Sequence, residues 1–446
     1  GWRISQEPWW NVKSEHISNA KVRFSWGSLG NAAGLSNYQY IQTLGISKSD
    51  YILDGLRQNY MSSPAALPGN LTWETATTYD IGADLGFFDN RLTVSGDYYI
   101  RKTTDMIVNG PTVPDVFGAS SPKGNYADMS TYGYELSLEW RDGFDLAGKR
   151  FNYSIKGTLA DYYSVIDRFN NANKSLSEYA NQSLDKNYYE GMRIGEIWGF
   201  VSNGLWQDQA SIDAAEAAAK AAGQSYYNPL MQTSKTYKLY PGDIKFEDLN
   251  GNGYIDRGQN TVDDPGDRKI IGNSTRRYQY GIHGGASWKG FSLSFLLQGV
   301  GKRDLWIMND LFYPHYDAWT TVYDTQLNYW TPERTDSYFP RLYEKAAGNT
   351  AANTRIQTRY LQDGSYLSIL NITLSYNFPS KWMTKIGVNN LAVFFSGENL
   401  YTFDHLPKGL DPERSVTDDL GQRGFTYPYM RCLLYTSPSP RDRTRS

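Results

Sequence analysis

Long runs in which apolar and polar residues alternate constrain the fold of this chain more than any other feature. In the run that begins at Leu92, Leu92, Val94 and Tyr98 alternate with polar residues. The same period recurs at approximately residues 22–26, 79–87, 134–140, 151–155, 278–282, 291–297, 370–378 and 391–395. Because successive side chains of a strand point to opposite faces, this period predicts strands with two different faces. The sequence therefore predicts an all-β protein with antiparallel strands.

Two architectures fit such strands. In a soluble sandwich the apolar faces pack between two sheets, whereas in a transmembrane barrel they face lipid. Strands of up to roughly 15 residues, aromatic residues near strand ends, and short turns that alternate with long loops favour the barrel. The long loops are predicted at approximately 164–193, 202–277 and 302–364. The residues predicted to face outward from a curved sheet are Leu92, Val94, Tyr98, Phe291, Leu293, Phe295 and Leu374.

Composition and charge argue against several classes of protein. The chain has 446 residues, with 44 Lys and Arg against 47 Asp and Glu, and no basic run, which argues against nucleic acid as the main partner. No apolar stretch reaches the roughly 18 residues of a transmembrane helix. The four histidines lie far apart, and no pair of carboxylates has a recognisable catalytic spacing. The sequence therefore predicts that the protein is not an enzyme.

One predicted loop contains a helix. The alanine-rich segment 210–223 favours a short helix that ends at Gly223, and a solvated spacer is its simplest role. Aromatic residues in or beside the loops could stack on sugars or pack the loops onto the barrel rim, so none is assigned to binding. These aromatic residues are Trp198, Trp206, Tyr226, Tyr227, Trp306 and Trp319.

The segment DLNGNGYID is the sharpest local motif. Its oxygen-bearing residues fall at positions 1, 3, 5, 7 and 9 of a calcium-loop pattern, with Gly253 at the tight turn. The predicted ligands are Asp248, Asn250, Asn252, Asp256 and the carbonyl of Tyr254. Gln259 replaces the bidentate glutamate of the pattern, so Asp263, Asp264 or Asp267 would have to complete the shell. The alternative is an Asn/Gly-rich turn whose side chains bond its own backbone.

Several motifs follow one another in a fixed order. Trp73-Glu74-Thr75 precedes an Ile-Gly-x-Asp-Leu-Gly strand at 81–86, an Asn-Arg-Leu-Thr hairpin at 90–93 and Lys-Thr-x-Asp at 102–105. Further motifs lie at 17–31, 125–135, 241–256, 365–379 and 397–413. Together they resemble the SusC/RagA-type TonB-linked outer-membrane transporters over nearly all of residues 17–430. Ser368 stands where that family usually has arginine.

The resemblance implies the C-terminal half of a transmembrane β-barrel of roughly 22 strands with long extracellular loops. Residues 1–431 are expected to form this part of the barrel. Members of the family carry a signal, a carboxypeptidase-like domain, a TonB box and a plug before the barrel, and we expect none of them within this sequence. Because a barrel must close to leave no strand edge in lipid, this half alone is not expected to be a competent channel.

The resemblance also implies a function in the outer membrane of a Gram-negative cell. That function is TonB-dependent import of an oligosaccharide or a peptide. The implied partners are a SusD-like surface lipoprotein over the loops, the TonB complex acting through the missing N-terminal region, and outer-membrane lipid. The alternative is a β-rich surface adhesin or carbohydrate-binding protein without transport activity.

The last fifteen residues differ in character from the rest of the chain. Segment 432–446 holds the only cysteine, and its two prolines and three arginines make a poor final strand. DNA that encodes residues 432–442 resembles a transposase end and adapter used to prepare sequencing libraries. We therefore expect residues 432–446 to be a non-native tail, with a short disordered terminus as the alternative.

Overall fold

A computed structural model shows a chain built mainly from strands. It describes residues 1–32, 41, 44–61, 71–110, 116, 121–176, 188–227, 238–307, 322–343, 348–388, 390–408, 410–414 and 429–436. The strands are β1 (Ile17–Asn31), β2 (Ile46–Leu53), β3 (Leu56–Met61), β4 (Glu74–Phe87), β5 (Leu92–Asn109), β6 (Lys123–Leu146), β7 (Lys149–Arg168), β8 (Glu196–Phe200), β9 (Ser202–Leu205), β10 (Ile244–Phe246), β11 (Arg268–Asn273), β12 (Arg277–Trp288), β13 (Phe291–Lys302), β14 (Asp304–Trp306), β15 (Leu361–Asp363), β16 (Tyr366–Asn377), β17 (Ala392–Asp404) and β18 (Cys432–Thr436). The α-helices are α1 (Gln209–Ala221), α2 (Gly348–Asn353) and α3 (Ser380–Met383). None of these helices is long and apolar enough to cross a membrane.

In the part of the chain that the structure describes, ten strands form one large sheet, which we call the wall sheet. Its order is β1-β4-β5-β6-β7-β12-β13-β16-β17-β18. Every pair of neighbours is antiparallel. The ten strands follow one another in chain order, and the shorter strands of the connections between them belong to the other sheets. The remaining sheets in the described part of the chain have two strands each. The predicted all-β antiparallel architecture is therefore confirmed.

Cross-strand register sorts the side chains of the wall sheet into two faces. One row of paired residues runs through Leu92, Trp140, Ile155, Gly284 and Phe295, from β5 to β13. By the same register, all seven residues predicted to face outward lie on this apolar face. The opposite face carries serine, threonine, glutamine and charged side chains, so the wall sheet separates an apolar from a polar environment.

The apolar face is exposed rather than packed between two sheets. The exposed fraction is 66% for Phe24, 55% for Ile81 and 47% for Leu374. A soluble sandwich would bury these side chains, whereas a barrel wall presents them to lipid. The observed exposure therefore agrees with the barrel and contradicts the sandwich.

Short connections lie at one end of the wall sheet. Ala147-Gly148 joins β6 to β7 and Lys289-Gly290 joins β12 to β13, with all four residues at the positive φ that a tight hairpin turn requires. The turn between β4 and β5 has four residues, 88–91, and Phe88, Asp89 and Asn90 all have positive φ. At the same end, β16 and β17 are joined by a longer segment that contains α3.

The connections at the opposite end are longer and contain their own structure. β7 continues to Arg168, so the first loop begins later than the predicted position 164. The extension pairs with β6, where the Arg168 guanidinium lies 2.6 Å from Asp128. The predicted helix is confirmed as α1, whose first turn is capped by Asp208 accepting the backbone N–H of Ser211.

Two of these long connections pack together into one body, which we call the cap. It comprises the described residues of 169–276 and 303–365 and has an apolar core of its own. Its largest fully buried side chains are Tyr227, Tyr360, Phe246, Ile197, Ile212, Leu239, Ile244, Ile255, Leu305 and Ile307. Most buried apolar side chains therefore lie at one end of the wall sheet, where they hold the loops together.

The start of the expected tail pairs with the wall sheet. Cys432–Thr436 forms β18 against β17, whereas the composition of the tail suggested a poor strand. The prolines that argued against a strand are at 438 and 440, beyond β18 and outside the described residues. An extended segment beside an unpaired strand edge can bond to it whatever its origin. The non-native origin of 432–446 therefore stays a prediction.

Several aromatic rings of the wall sheet lie directly over glycines of the neighbouring strand. Phe295 pairs with Gly284, and a Cβ atom added to Gly284 would come within 2.2 Å of the Phe295 ring. Tyr99 covers Gly133 in the same way on the polar face, at 2.4 Å. Such rings fill the space that a glycine leaves open and thereby fix the register of the sheet.

This packing predicts that Gly284→Ala destabilises the intact protein. The added methyl group must displace the Phe295 ring, and overpacking of this kind costs about 1–3 kcal/mol. The measurement is the midpoint of denaturant unfolding in detergent micelles. Gly285→Ala is the matched control, because the nearest atom to its added Cβ would be 3.5 Å away. Equal midpoints for the two variants would contradict the role given to the ring.

Candidate functional site

A buried carboxylate joins the two connections of the cap. Asp243 accepts hydrogen bonds from the side-chain amides of Asn349, at 2.8 Å, and Asn353, at 2.9 Å. Asn353 in turn accepts the backbone N–H of Ile244 at 3.0 Å. Burial raises the pKa of Asp243. Since a buried polar group is costly without partners, these contacts hold residues near 243 and 350 in one arrangement.

The DLNGNGYID segment lies in the cap as a compact loop. The Asp248 carboxylate accepts the backbone N–H groups of Gly251, Asn252 and Gly253, at 2.7, 3.2 and 2.7 Å. The side chain of Asn252 donates to Asp256 at 2.7 Å. These bonds are those of a turn whose side chains satisfy its own backbone, the alternative raised for this motif.

Two further predicted ligands belong to the same loop. The side-chain oxygen of Asn250 accepts the backbone N–H of Asn252, at 3.1 Å. The backbone N–H of Tyr254 bonds to Asn252, also at 3.1 Å, and the Tyr254 ring packs against the cap core. The predicted ligands therefore come from one ordered turn, in which the side-chain oxygen atoms of Asp248, Asn250 and Asn252 already accept backbone N–H groups.

Asp267 closes this loop from outside the motif. Its fully buried carboxylate accepts the backbone N–H groups of Leu249, at 2.7 Å, and Asp256, at 2.8 Å. Burial, the largest cause, raises the pKa of Asp267 to about 6, and the nearby charge of Asp256 acts in the same direction. Asp264, another residue considered for the shell, instead accepts the backbone N–H of Gln259, at 3.1 Å.

Calcium binding by the loop stays a prediction. Across the described ranges, no three His, Cys, Asp or Glu side chains come together as a metal site. The predicted ligand set has only two carboxylates, those of Asp248 and Asp256, and its other ligands are amides and a carbonyl. Such a set carries little negative charge, and calcium affinity depends on the number of charged ligands.

The polar face of the wall sheet carries an ion-pair cluster. Arg23 on β1 contacts Asp84 on β4 and Asp97 on β5, each at 2.9 Å. Ser95 donates a hydrogen bond to Asp84 at 2.7 Å. From β12 to β17 the same face carries mostly hydroxyl and amide side chains. These include Gln279, Ser294, Gln298, Thr373 and Ser396. This face is suited to contact with water and polar solutes.

The loop aromatics pack the cap rather than forming a surface for stacking. Trp206, Tyr226 and Trp306 are each at most 7% exposed, and Tyr227 is fully buried with its hydroxyl donating to the carbonyl of Ile244. Trp198 is half-buried and donates to the hydroxyl of Tyr189, at 3.2 Å. Trp319 lies outside the described residues. Packing, the alternative considered for these aromatics, therefore accounts for the ones that the structure describes.

Comparison with known proteins agrees with the sequence motifs. The family model described as TonB dependent receptor-like, beta-barrel matches residues 10–391. TonB-dependent receptor P3 of Formosa agariphila is 28% identical over 426 residues, which are 94% of this chain and 39% of that protein. TonB-dependent receptor SusC of Bacteroides thetaiotaomicron is 25% identical over 443 residues, which are 98% of this chain and 38% of that protein. The chain thus spans about two fifths of the length of the relatives that it matches.

Solved structures share the fold. The RagAB peptide importer in its open-open state has a TM-score of 0.66 at 20% identity, over 92% of this chain and 39% of that chain. The RagAB peptide transporter gives the same TM-score over 96% of this chain and 41% of that chain. At this identity the likeness shows the fold, and it confirms the partial barrel expected from the motifs. The relatives are named as receptors and importers, in agreement with the expectation that the protein is not an enzyme.

The two faces of the wall predict opposite responses to an added charge. Leu297, at the middle of β13, lies on the apolar face, and its neighbour Gln298 lies on the polar face. Leu297→Arg should destabilise the intact protein by roughly 2–4 kcal/mol, because arginine is costly on a lipid-facing strand, whereas Gln298→Arg should be tolerated. The measurement is the folded fraction in lipid vesicles across a urea series. Equal destabilisation by the two substitutions would contradict the assignment of the faces.

The calcium prediction can be tested on the intact protein by limited proteolysis. Calcium should protect the loop around 248–267 from cleavage in the parent, and Asp248→Ala together with Asp256→Ala should remove that protection. Because the raised pKa leaves Asp267 protonated below about 6 and ionised above it, a cation has more charge to offset at pH 7.5 than at pH 5. We therefore expect greater protection at pH 7.5.

Asp213→Ala is the matched control for this experiment, since Asp213 is an exposed carboxylate of α1 outside the loop. It should leave calcium protection unchanged. Cleavage of the parent at equal rates with calcium and with a chelator would leave the loop as an ordinary Asn/Gly turn.

Proposed function

Since the chain belongs to the TonB dependent receptor-like β-barrel family, we propose that it supplies wall, lumen lining and extracellular cap to an importer in the outer membrane. The outer membrane is the location of this family. The observation that carries the proposal is the wall sheet, which exposes an apolar face and turns polar side chains to the other side. In this function the chain does no covalent chemistry. It lines a path for a polar solute and carries the surface on which that solute arrives.

The proposed cargo is an oligosaccharide or a peptide, and the energy comes from a TonB complex that acts on the intact protein. SusC relatives and the RagAB peptide importer support an importer of this general kind. The polar face of the wall suits a hydrated cargo, because hydroxyl and amide side chains exchange hydrogen bonds with a solute at little net cost. Arg23, Asp84 and Asp97 neutralise one another in part, so this stretch of lumen has no strong bias toward one sign of charge.

The proposed partner is a SusD-like surface lipoprotein that closes over the cap. The cap supports this assignment because its two connections share one apolar core and the buried Asp243 contact. A fixed surface loses little conformational freedom when a partner binds, which favours repeated docking and release.

The test is uptake in cells that produce the intact protein. Labelled oligosaccharides and labelled peptides are supplied separately, and uptake is measured with and without a functional TonB protein. We expect uptake of one class, lost without TonB, while binding at the cell surface persists. Cells that lack the intact protein provide the background. Surface binding without any uptake, unaffected by TonB, would replace the importer with the adhesin or carbohydrate-binding alternative.

A further inference from the structure

Two adjoining clefts open on the surface of the cap, and we call them the cap clefts. The first, of about 530 Å³, lies at the end of α1 and is lined by Glu216, Lys220 and Gln224 among others. The second, of about 390 Å³, lies along the Asn/Gly loop. Gln224 lines both clefts, so the two form one extended depression. Each volume lies in the range of about 300–1,000 Å³ that is typical of ligand sites.

The walls of the cap clefts are held in place by the fold. Glu216 on α1 accepts the backbone N–H of Tyr226 at 3.3 Å, which fixes the chain that leaves the helix. Gly223 ends α1 with a φ of +77°, so the chain turns sharply just before Gln224. On the other side, Asn252 bonds to Asp256, and Tyr254 packs against the cap core. The depression is thus built before any ligand arrives, which lowers the entropic cost of binding.

The side chains that face the cap clefts are planar and polar. The second cleft is lined by Asn250, Asn252, Gln259 and the half-buried Tyr254, among others. Within the described residues, the side-chain amides of Gln224 and Gln259 make no hydrogen bond, and both are exposed. An amide offers two donors and one acceptor, which match the donor and acceptor roles of neighbouring sugar hydroxyl groups.

The charge and shape of the cap clefts restrict the class of ligand further. The cap clefts are lined by three carboxylates, of Glu216, Asp256 and Asp264, against the bases Lys220 and Arg257, so they do not attract an anionic chain. Peptide recognition commonly uses an apolar groove or an open strand edge. The cap clefts provide neither, because polar groups, α1 and a turn form their walls.

We propose that the cap clefts bind a neutral oligosaccharide on the extracellular side, as a capture site separate from the lumen. The proposal deepens the proposed function, because it gives the cap a ligand of its own. Binding at this site requires neither TonB nor passage through the barrel. Failure of the import proposal and failure of this one can therefore be told apart.

The test is binding to the intact protein in detergent micelles, followed by fluorescence polarisation. The probes are labelled hexasaccharides of α-1,4-glucan, β-1,3-glucan and β-1,4-mannan, with hexagalacturonate and a Gly-Ser hexapeptide for comparison. We expect at least one neutral hexasaccharide to bind, and the acidic sugar and the peptide to bind less. The double variant Gln224→Ala and Gln259→Ala should weaken binding about tenfold, since two hydrogen bonds are lost.

Gln209→Ala is the matched control, because Gln209 lies on the same helix outside the clefts and bonds to Asp213. It should bind as the parent does. Gln224→Trp, which fills the junction of the clefts, gives a second readout that does not depend on individual hydrogen bonds and should also weaken binding. Unchanged binding in both cleft variants, or no binding of any neutral hexasaccharide, would overturn the proposal. Uptake at saturating sugar should stay at the parent level in the double variant.

Discussion

Hydrogen bonding between antiparallel backbone segments is the constraint on which the rest of this structure depends. In lipid no water is available to a backbone N–H or C=O group, so each must find a partner in a neighbouring strand. That pairing fixes the register, and the register decides which side chain meets lipid. Because side chains alternate, a shift of one residue would exchange Leu297 with Gln298 and every other pair along β13. Rings such as Phe295 over Gly284 resist that shift.

The backbone of the cap must also satisfy its hydrogen bonds, but the cap lies in water and not in lipid. Its connections lie beyond the wall sheet and cannot satisfy their backbone by joining it, so they build small two-stranded sheets and an apolar core. Local side chains supply the remaining partners, as Asp267 does for the backbone of Leu249 and Asp256. These contacts hold the described residues of the cap in one arrangement. A cap held in this way is suited to recognition, while the wall sheet is suited to enclosure.

The strands of the wall could be predicted from the sequence because period two is a local signal that each strand carries by itself. Period two placed Leu92 and Leu374 on the apolar face, and the resemblance to a barrel family was needed to predict that this face looks outward. The end of β7 was misplaced because Arg168 and Asp128 look like loop residues until they are seen to pair. The buried hydrogen bonds of Asp243 could not be predicted from the sequence, since its amide partners lie 106 and 110 residues away. In DLNGNGYID the turn could be predicted from the sequence. The same side-chain oxygens can bind either a cation or backbone N–H groups, so their spacing alone does not distinguish a calcium loop from an Asn/Gly turn.

The contact of Asp243 with Asn349 and Asn353 also bears on the order in which the protein assembles. Between these residues the chain passes through β12 and β13, so the contact closes a loop that contains a complete hairpin of the wall. Closing a loop of this length before the hairpin is in place would cost entropy with no compensating bonds. We therefore expect the hairpin to form first and the cap to consolidate afterwards, when both of its connections emerge on the same side. A wall that inserts correctly thus becomes a precondition for a finished outer surface.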